Sequence, residues 1–133
     1  MIFIDSNIFL RYFEKEDEQS FKKSERFFSK IVSGNIKGIS TSLVIAEVVW
    51  VLQKFYNWDR KEICSNIELI LKTPNIKFKE RSVLSRAISI YRDINIDFID
   101  AYNYSYMKNS EITEIYSFDR DFNRFSDIKR LEP

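Results

Sequence analysis

Histidine is absent from the sequence. That absence excludes Ser-His-Asp triads, Cys-His nucleophile pairs, imidazole acid–base catalysis and histidine-ligated zinc. Cysteine occurs once, at Cys64, so no disulfide can close within the chain and a thiolate zinc site is not available. Lying beside Ile63 and Ile67 in a helical pattern, Cys64 reads as a small buried hydrophobe in a reducing compartment. Glycine and proline number two each, which excludes collagen-like and low-complexity chains. No apolar run reaches the roughly 20 residues of a membrane-crossing helix, and no basic leader precedes the apolar N-terminus. The expectation is a soluble cytoplasmic protein without a membrane partner. Any catalysis must then come from carboxylates, lysines, tyrosines, hydroxyls or an oxygen-bound cation, for which Mg²⁺ or Mn²⁺ is suited.

What is present is a sizeable apolar complement. The 133 residues are 44% hydrophobic and 16% aromatic, enough for a single domain over residues 1–133 with its own core. Lysine and arginine total 21 against 20 acids, for a net charge of +1. If several acids gather in one cleft, the remaining surface is modestly basic, which permits a polyanionic substrate.

Apolar and polar periodicities alternate along the chain. Met1–Ile4 reads as a short buried strand, followed by helices over about Ile8–Phe13 and Glu18–Ser33, the second closed by Gly34. Gly38–Ser40 is a second strand, and Thr41 or Ser42 caps a strongly apolar helix over roughly Leu43–Phe55. Asp59 caps a further helix that Pro74 ends. Ile76–Lys79 reads as an edge strand and Ser82–Asp93 as a helix. Asp97 caps a helix through about Lys108, Ile115–Phe118 is a strand, and Ile128–Leu131 a last one. Strands alternating with helices predict an α/β fold with a mostly parallel sheet, whose ligands sit beyond the carboxyl ends of the strands.

Four carboxylates stand out at such positions. Asp5 directly follows the first strand and Asp119 a later one; either alone also serves as a helix N-cap. Glu47 is the only charge in Leu43–Leu52, and a helix apolar nearly all round is expected to be buried nearly all round. A buried lone carboxylate costs several kcal/mol, on the order of the usual desolvation penalty, unless it is paired, protonated or bound to metal. An exposed stripe or a buried ion pair would account for Glu47 without a metal. Asp100 stands three residues after Asp97, which is capping-box spacing and also suits a cleft at a helix start. Together Asp5, Glu47, Asp100 and Asp119 make a donor set for an oxygen-preferring divalent cation.

Ile4-Asp5-Ser6-Asn7, Ser42-Leu43-Val44-Ile45-Ala46-Glu47, Asp97-Phe98-Ile99-Asp100-Ala101 and Ser117-Phe118-Asp119-Arg120-Asp121-Phe122 resemble, in order, the four motifs of PIN-domain ribonucleases. The resemblance spans nearly the whole chain, and the length resembles the VapC-like toxins of type II toxin–antitoxin pairs. It implies a three-layer α/β/α fold around a mostly parallel sheet of four to five strands, and Mg²⁺- or Mn²⁺-dependent endonuclease activity on RNA. By motif match, Asp5, Glu47, Asp100 and Asp119 hold the metal, Asp121 is a further metal-site acid, and Asn7 and Ser117 support the site. Ser6 stands where Thr is more usual and keeps the hydroxyl. The implied reaction is in-line attack of water on an RNA phosphodiester, leaving a 5′-phosphate. Arg11, Lys54, Arg60 and Arg120 are candidates for holding flanking phosphates, or are simply solvated charges. The resemblance also implies a homodimer and a small antitoxin partner. Trp50, Phe55, Tyr56 and Trp58 offer a candidate surface for such partners, with core packing as the alternative.

Two other functions fit parts of the pattern. A PIN-like module that has lost catalysis would bind RNA or protein without cleaving. An aspartyl phosphohydrolase also needs an Asp after its first strand, but usually carries a second Asp two residues on, where this chain has Asn7.

Overall fold

The computed structural model describes residues 1–133 and divides them into two compact units, Met1–Arg81 and Ser82–Pro133. The first unit contains β1 (Ile2–Phe3), α1 (Ser6–Glu14), α2 (Glu18–Val32), β2 (Gly38–Ser40), α3 (Ser42–Lys54), α4 (Arg60–Lys72) and β3 (Ile76–Phe78). Its three strands form a parallel sheet in the order β1-β2-β3, with Gly38 opposite both Ile2 and Ile76. The second unit contains α5 (Arg81–Asp93, from the boundary), α6 (Phe98–Asn109), β4 (Glu114–Tyr116), a 3₁₀ turn (Arg120–Arg124) and β5 (Lys129–Leu131). There β4 and β5 pair in parallel, Glu114 opposite Lys129 and Tyr116 opposite Leu131. All strand pairings are parallel, as an α/β chain with helical crossovers requires. The five strands are shared between a three-stranded and a two-stranded sheet.

The core of the first unit follows from helical spacing. Phe9 and Phe13 of α1, Ile45, Val48 and Leu52 of α3, and Ile63 and Ile67 of α4 are buried at intervals of three or four residues. Cys64 is fully buried among them as a free thiol, as a small hydrophobe would be. Gly38 is required by close approach: the buried side chains of Ile4 and Ile31 occupy the place where a Cβ would stand. Gly34 ends α2 with φ +84°, a left-handed conformation that favours glycine, and its N–H donates to the Ile31 carbonyl at 3.0 Å.

Three expectations are corrected. The first strand is not buried: Ile2 and Phe3 are 50% and 55% exposed, because β1 pairs on one side only, and burial begins at Ile4. α3 is not buried all round either. Leu43 is 82% exposed, Trp50 53%, and Glu47 lies exposed between them on the same i, i+4, i+7 stripe. Asp97 occupies the N-cap position of α6, but its side chain accepts no cap hydrogen bond, so the capping box with Asp100 does not form. Thr41 rather than Ser42 caps α3, accepting from the Val44 N–H; Ser42 instead donates to Glu80.

The caps differ in a measurable way. Asp59 accepts the Glu62 N–H at 2.7 Å at the start of α4. Asp59→Ala is expected to lower stability by about 1 kcal/mol. Asp97→Ala is expected to change it by only a few tenths, roughly, since dipole attraction there is offset by repulsion from Asp100. Urea midpoints at pH 7 check this; equal losses would contradict the cap geometry.

Candidate metal centre

The acids of the second unit are placed by two local starts. β4 ends at Tyr116, and Ser117–Phe118 carries the chain to Asp119, the N-cap of the 3₁₀ turn. The Ser117 hydroxyl oxygen accepts the Asp119 N–H at 3.0 Å, and Asp119 Oδ1 accepts the Asp121 N–H at 2.9 Å. Arg130 on β5 braces the same turn, donating to the Ser117 carbonyl at 2.8 Å, to Asn123 Oδ1 at 3.1 Å and to Glu132 Oε1 at 2.8 Å. Arg124 donates to the Asn95 carbonyl at 3.0 Å, and its Nε lies 3.9 Å from Asp121 Oδ1. On the other side, Asp100 stands in the first turn of α6, freed from a capping role.

These two starts bring Asp100, Asp119 and Asp121 together. One carboxylate oxygen from each lies within 4.8 Å of the others. Asp100 and Asp121 are half-buried and Asp119 is exposed. Partial burial pushes the Asp100 carboxyl up to about 6, reinforced by the charge of Asp119, a hydrogen bond to Asp119, and the charges of Asp97 and Asp121. The donor set is all carboxylate oxygen, with no ring nitrogen or thiolate, and so fits a hard divalent cation such as Mg²⁺ or Mn²⁺.

Asp5 and Glu47 belong to the first unit. Asp5 occupies the N-cap position of α1 with no side-chain cap bond, so its exposed carboxylate is not spent on the helix. Two hydrogen bonds fix the strand end before it: the Ile4 N–H donates to the Ile39 carbonyl at 2.9 Å, and the buried Ser40 hydroxyl donates to the Ile4 carbonyl at 2.9 Å. Asn7 is exposed one residue into α1, and Glu47 projects from the exposed stripe of α3. Burial therefore does not single out Glu47 as a metal ligand. Ser40 and Arg130 act beside these acids but do not stand out in the sequence. A serine at the end of a three-residue strand and an arginine near the C-terminus carry no local signal.

The chain belongs to the PIN domain family, whose profile matches residues 2–128. It is similar to a VapC ribonuclease of Aquifex aeolicus (strain VF5), 27% identical over 133 residues, covering 100% of this chain and 97% of that protein. Among solved structures, the Mycobacterium tuberculosis toxin VapC20, described as cleaving the sarcin–ricin loop, covers 100% of both chains at 15% identity with a TM-score of 0.44.

The raised Asp100 carboxyl links stability to pH. Its folded-state value of about 6 exceeds the ordinary 3.8, so the folded state holds a proton that the unfolded chain has released. That preference favours folding less and less as pH rises from about 4 to 6, and above 6 the ionised Asp100 destabilises the cation-free fold. Asp100→Asn should be more stable than the parent at pH 7 in EDTA, and the difference should vanish near pH 4. Urea midpoints across that range check it; a pH-independent difference would refute the assignment.

Proposed function

We propose that the chain is an endoribonuclease dependent on Mg²⁺ or Mn²⁺, acting as the toxin of a type II toxin–antitoxin pair. The observation that carries this is the convergence of Asp100, Asp119 and Asp121 in a chain of the PIN family. The family match runs through both compact units, which supports one nuclease domain over residues 1–133. By motif, Asp5 and Glu47 are proposed as the remaining carboxylates, with Asn7 and Ser117 supporting them.

A divalent cation bound by these acids would supply water activation and neutralise charge developing at the scissile phosphate. The chain's own part is to hold the oxygens in place. Asp119 keeps one oxygen on the Asp121 N–H, which fixes its carboxylate plane. The Ser117 hydroxyl and Arg130 hold the turn that carries both acids. Asp100, with its raised affinity for a proton, contributes the group whose charge is least tolerable without a cation. In-line attack of water with loss of the 3′ oxygen leaves a 5′-phosphate. Flanking phosphates would meet Arg11, Lys54, Arg60 or Arg120.

A small antitoxin and a homodimer are the proposed protein partners. Trp50 and the 67%-exposed Phe55 support a partner surface, meeting edge-on with ring centroids 5.3 Å apart. Trp58 and Tyr56 are half-buried, and Trp58 packs on Phe13, so the aromatic group is split between surface and core. No helix is long and apolar enough to cross a membrane; the proposed compartment is the cytoplasm.

The test is cleavage of a fluorescent RNA by the purified protein with Mg²⁺ or Mn²⁺. Asp100→Asn, Asp119→Asn, Asp5→Asn and Glu47→Gln should each lower the rate by roughly 100-fold or more while the proteins stay folded. EDTA should abolish cleavage. Wild-type rates in Asp100→Asn would defeat the site assignment, and RNA binding without any cleavage would favour an inactive module.

A further inference from the structure

α6 carries more than Asp100 on the face that bears it. Asp100, Tyr104 and Lys108 follow one another at intervals of four residues and so stand in one row along the helix. Each meets a partner on the segment that begins at Asp119, and the partners come in chain order. Asp100 faces Asp119 and Asp121. The Tyr104 ring stacks on Phe125, with centroids 3.7 Å apart and planes 11° from parallel. The Tyr104 hydroxyl donates to the Asp127 carboxylate, 2.7 and 2.8 Å from its two oxygens, and Lys108 Nζ donates to Oδ2 at 2.5 Å.

We propose that Tyr104 and Asp127, with Lys108, are positioning residues that hold the Asp119–Asp121 turn in register against Asp100. This rests on the reading of the three-aspartate cluster as a metal site.

The physical need is plain. Three carboxylates whose oxygens lie within 4.8 Å repel one another, and the 3₁₀ turn carrying two of them is only five residues long. A turn of that length does not resist displacement by itself. Arg130 holds the turn at Ser117 and Asn123, and Arg124, its last residue, ties it to the Asn95 carbonyl ahead of α6; beyond it the chain runs into Phe125–Asp127, where the α6 row joins it directly to the helix bearing Asp100. The row also sets register. A slip of one residue would carry Asp127 away from Tyr104 and Lys108 together, so the three contacts form or fail as a unit.

The chemistry of the row fits holding rather than reacting. The Tyr104 hydroxyl is pushed up to about 12, by burial first and then by the Asp127 carboxylate, so it stays a hydrogen-bond donor across the working range. Lys108 first and then Tyr104 hold the Asp127 carboxyl below its ordinary value, so Asp127 stays an acceptor. Neither group is poised to exchange a proton near neutral pH.

The test is Mn²⁺ binding, read by electron paramagnetic resonance of the free ion, beside melting of the cation-free proteins. Tyr104→Phe keeps the ring stack and removes only the hydroxyl; Asp127→Asn keeps the shape and removes the charge. Each should weaken Mn²⁺ by several-fold, up to about tenfold, the lower end of what loss of a group bonded directly to a metal ligand costs. The double variant should be little worse than the weaker single one, because the contacts act together. Asp93→Asn, an exposed acid at the end of α5, removes the same charge elsewhere and should bind like the parent. Unchanged Mn²⁺ affinity in Tyr104→Phe and Asp127→Asn overturns the proposal, including where their melting temperatures fall, since that pattern marks a merely structural contact. Equal weakening in Asp93→Asn also overturns it, because net charge would then explain the effect. Failure of the parent itself to bind Mn²⁺ defeats the metal reading, and the positioning role falls with it.

Discussion

Mutual repulsion among Asp100, Asp119 and Asp121 is the constraint around which the second unit is organised. Carboxylate oxygens within 4.8 Å of one another repel, and their ionised forms oppose the placement. The sign of the strain is visible at Asp100, which holds its proton to about pH 6 rather than releasing it at 3.8. Nothing in the immediate cluster relieves this fully. Arg124 approaches Asp121 only to 3.9 Å and also serves the Asn95 carbonyl. Asp97, at the start of the same helix, adds repulsion instead of a cap. Acids held together in this way form a place that a cation from solution would neutralise.

The supporting bonds divide the work. Backbone and hydroxyl contacts around Ser117 and Arg130 fix where the chain leaves β4, and so where Asp119 begins. The Asp119 carboxylate caps its own turn, which aims Asp121. In the first unit, the Ser40–Ile4 bond has the same office at the end of β1, ahead of Asp5. In both units a serine bonds next to the strand end, and an aspartate follows. The difference lies in what the aspartate does next: Asp119 caps and Asp5 does not. Capping therefore accounts for part of Asp119's placement and for none of Asp5's.

Much of this was legible from residue order. The helix start at Asp59, the Gly34 stop and the strand at Gly38–Ser40 come from local chemistry, and local chemistry is what short windows of sequence encode. Asp119 and Asp100 were legible as strand-end and helix-start acids. Three things were not. The exposed stripe of α3 is one, because composition does not say which stripe faces out; Leu43 and Trp50 are apolar yet exposed. The exposure of Ile2 and Phe3 is another, because burial depends on how many neighbours a strand has, which is a tertiary fact. The Tyr104–Asp127 contact joins residues 23 apart, and neither is unusual in its own neighbourhood.

The exposure of Glu47 changes how the acids should be weighed. A buried lone carboxylate would have argued for a cation by its desolvation cost alone. An exposed one carries no such cost, and its place in the site rests on motif order. Asp100 moves the other way: a capping box would have explained it, and the box is absent. Its half-buried carboxyl, facing two like charges, is the group for which an ordinary structural role fails most clearly. At neutral pH the proton is largely gone from Asp100, so a cation entering there displaces little. Below about pH 6 the two compete for the same oxygen. The physical case for a metal centre thus passes from the helix that looked buried to the helix start that looked explicable.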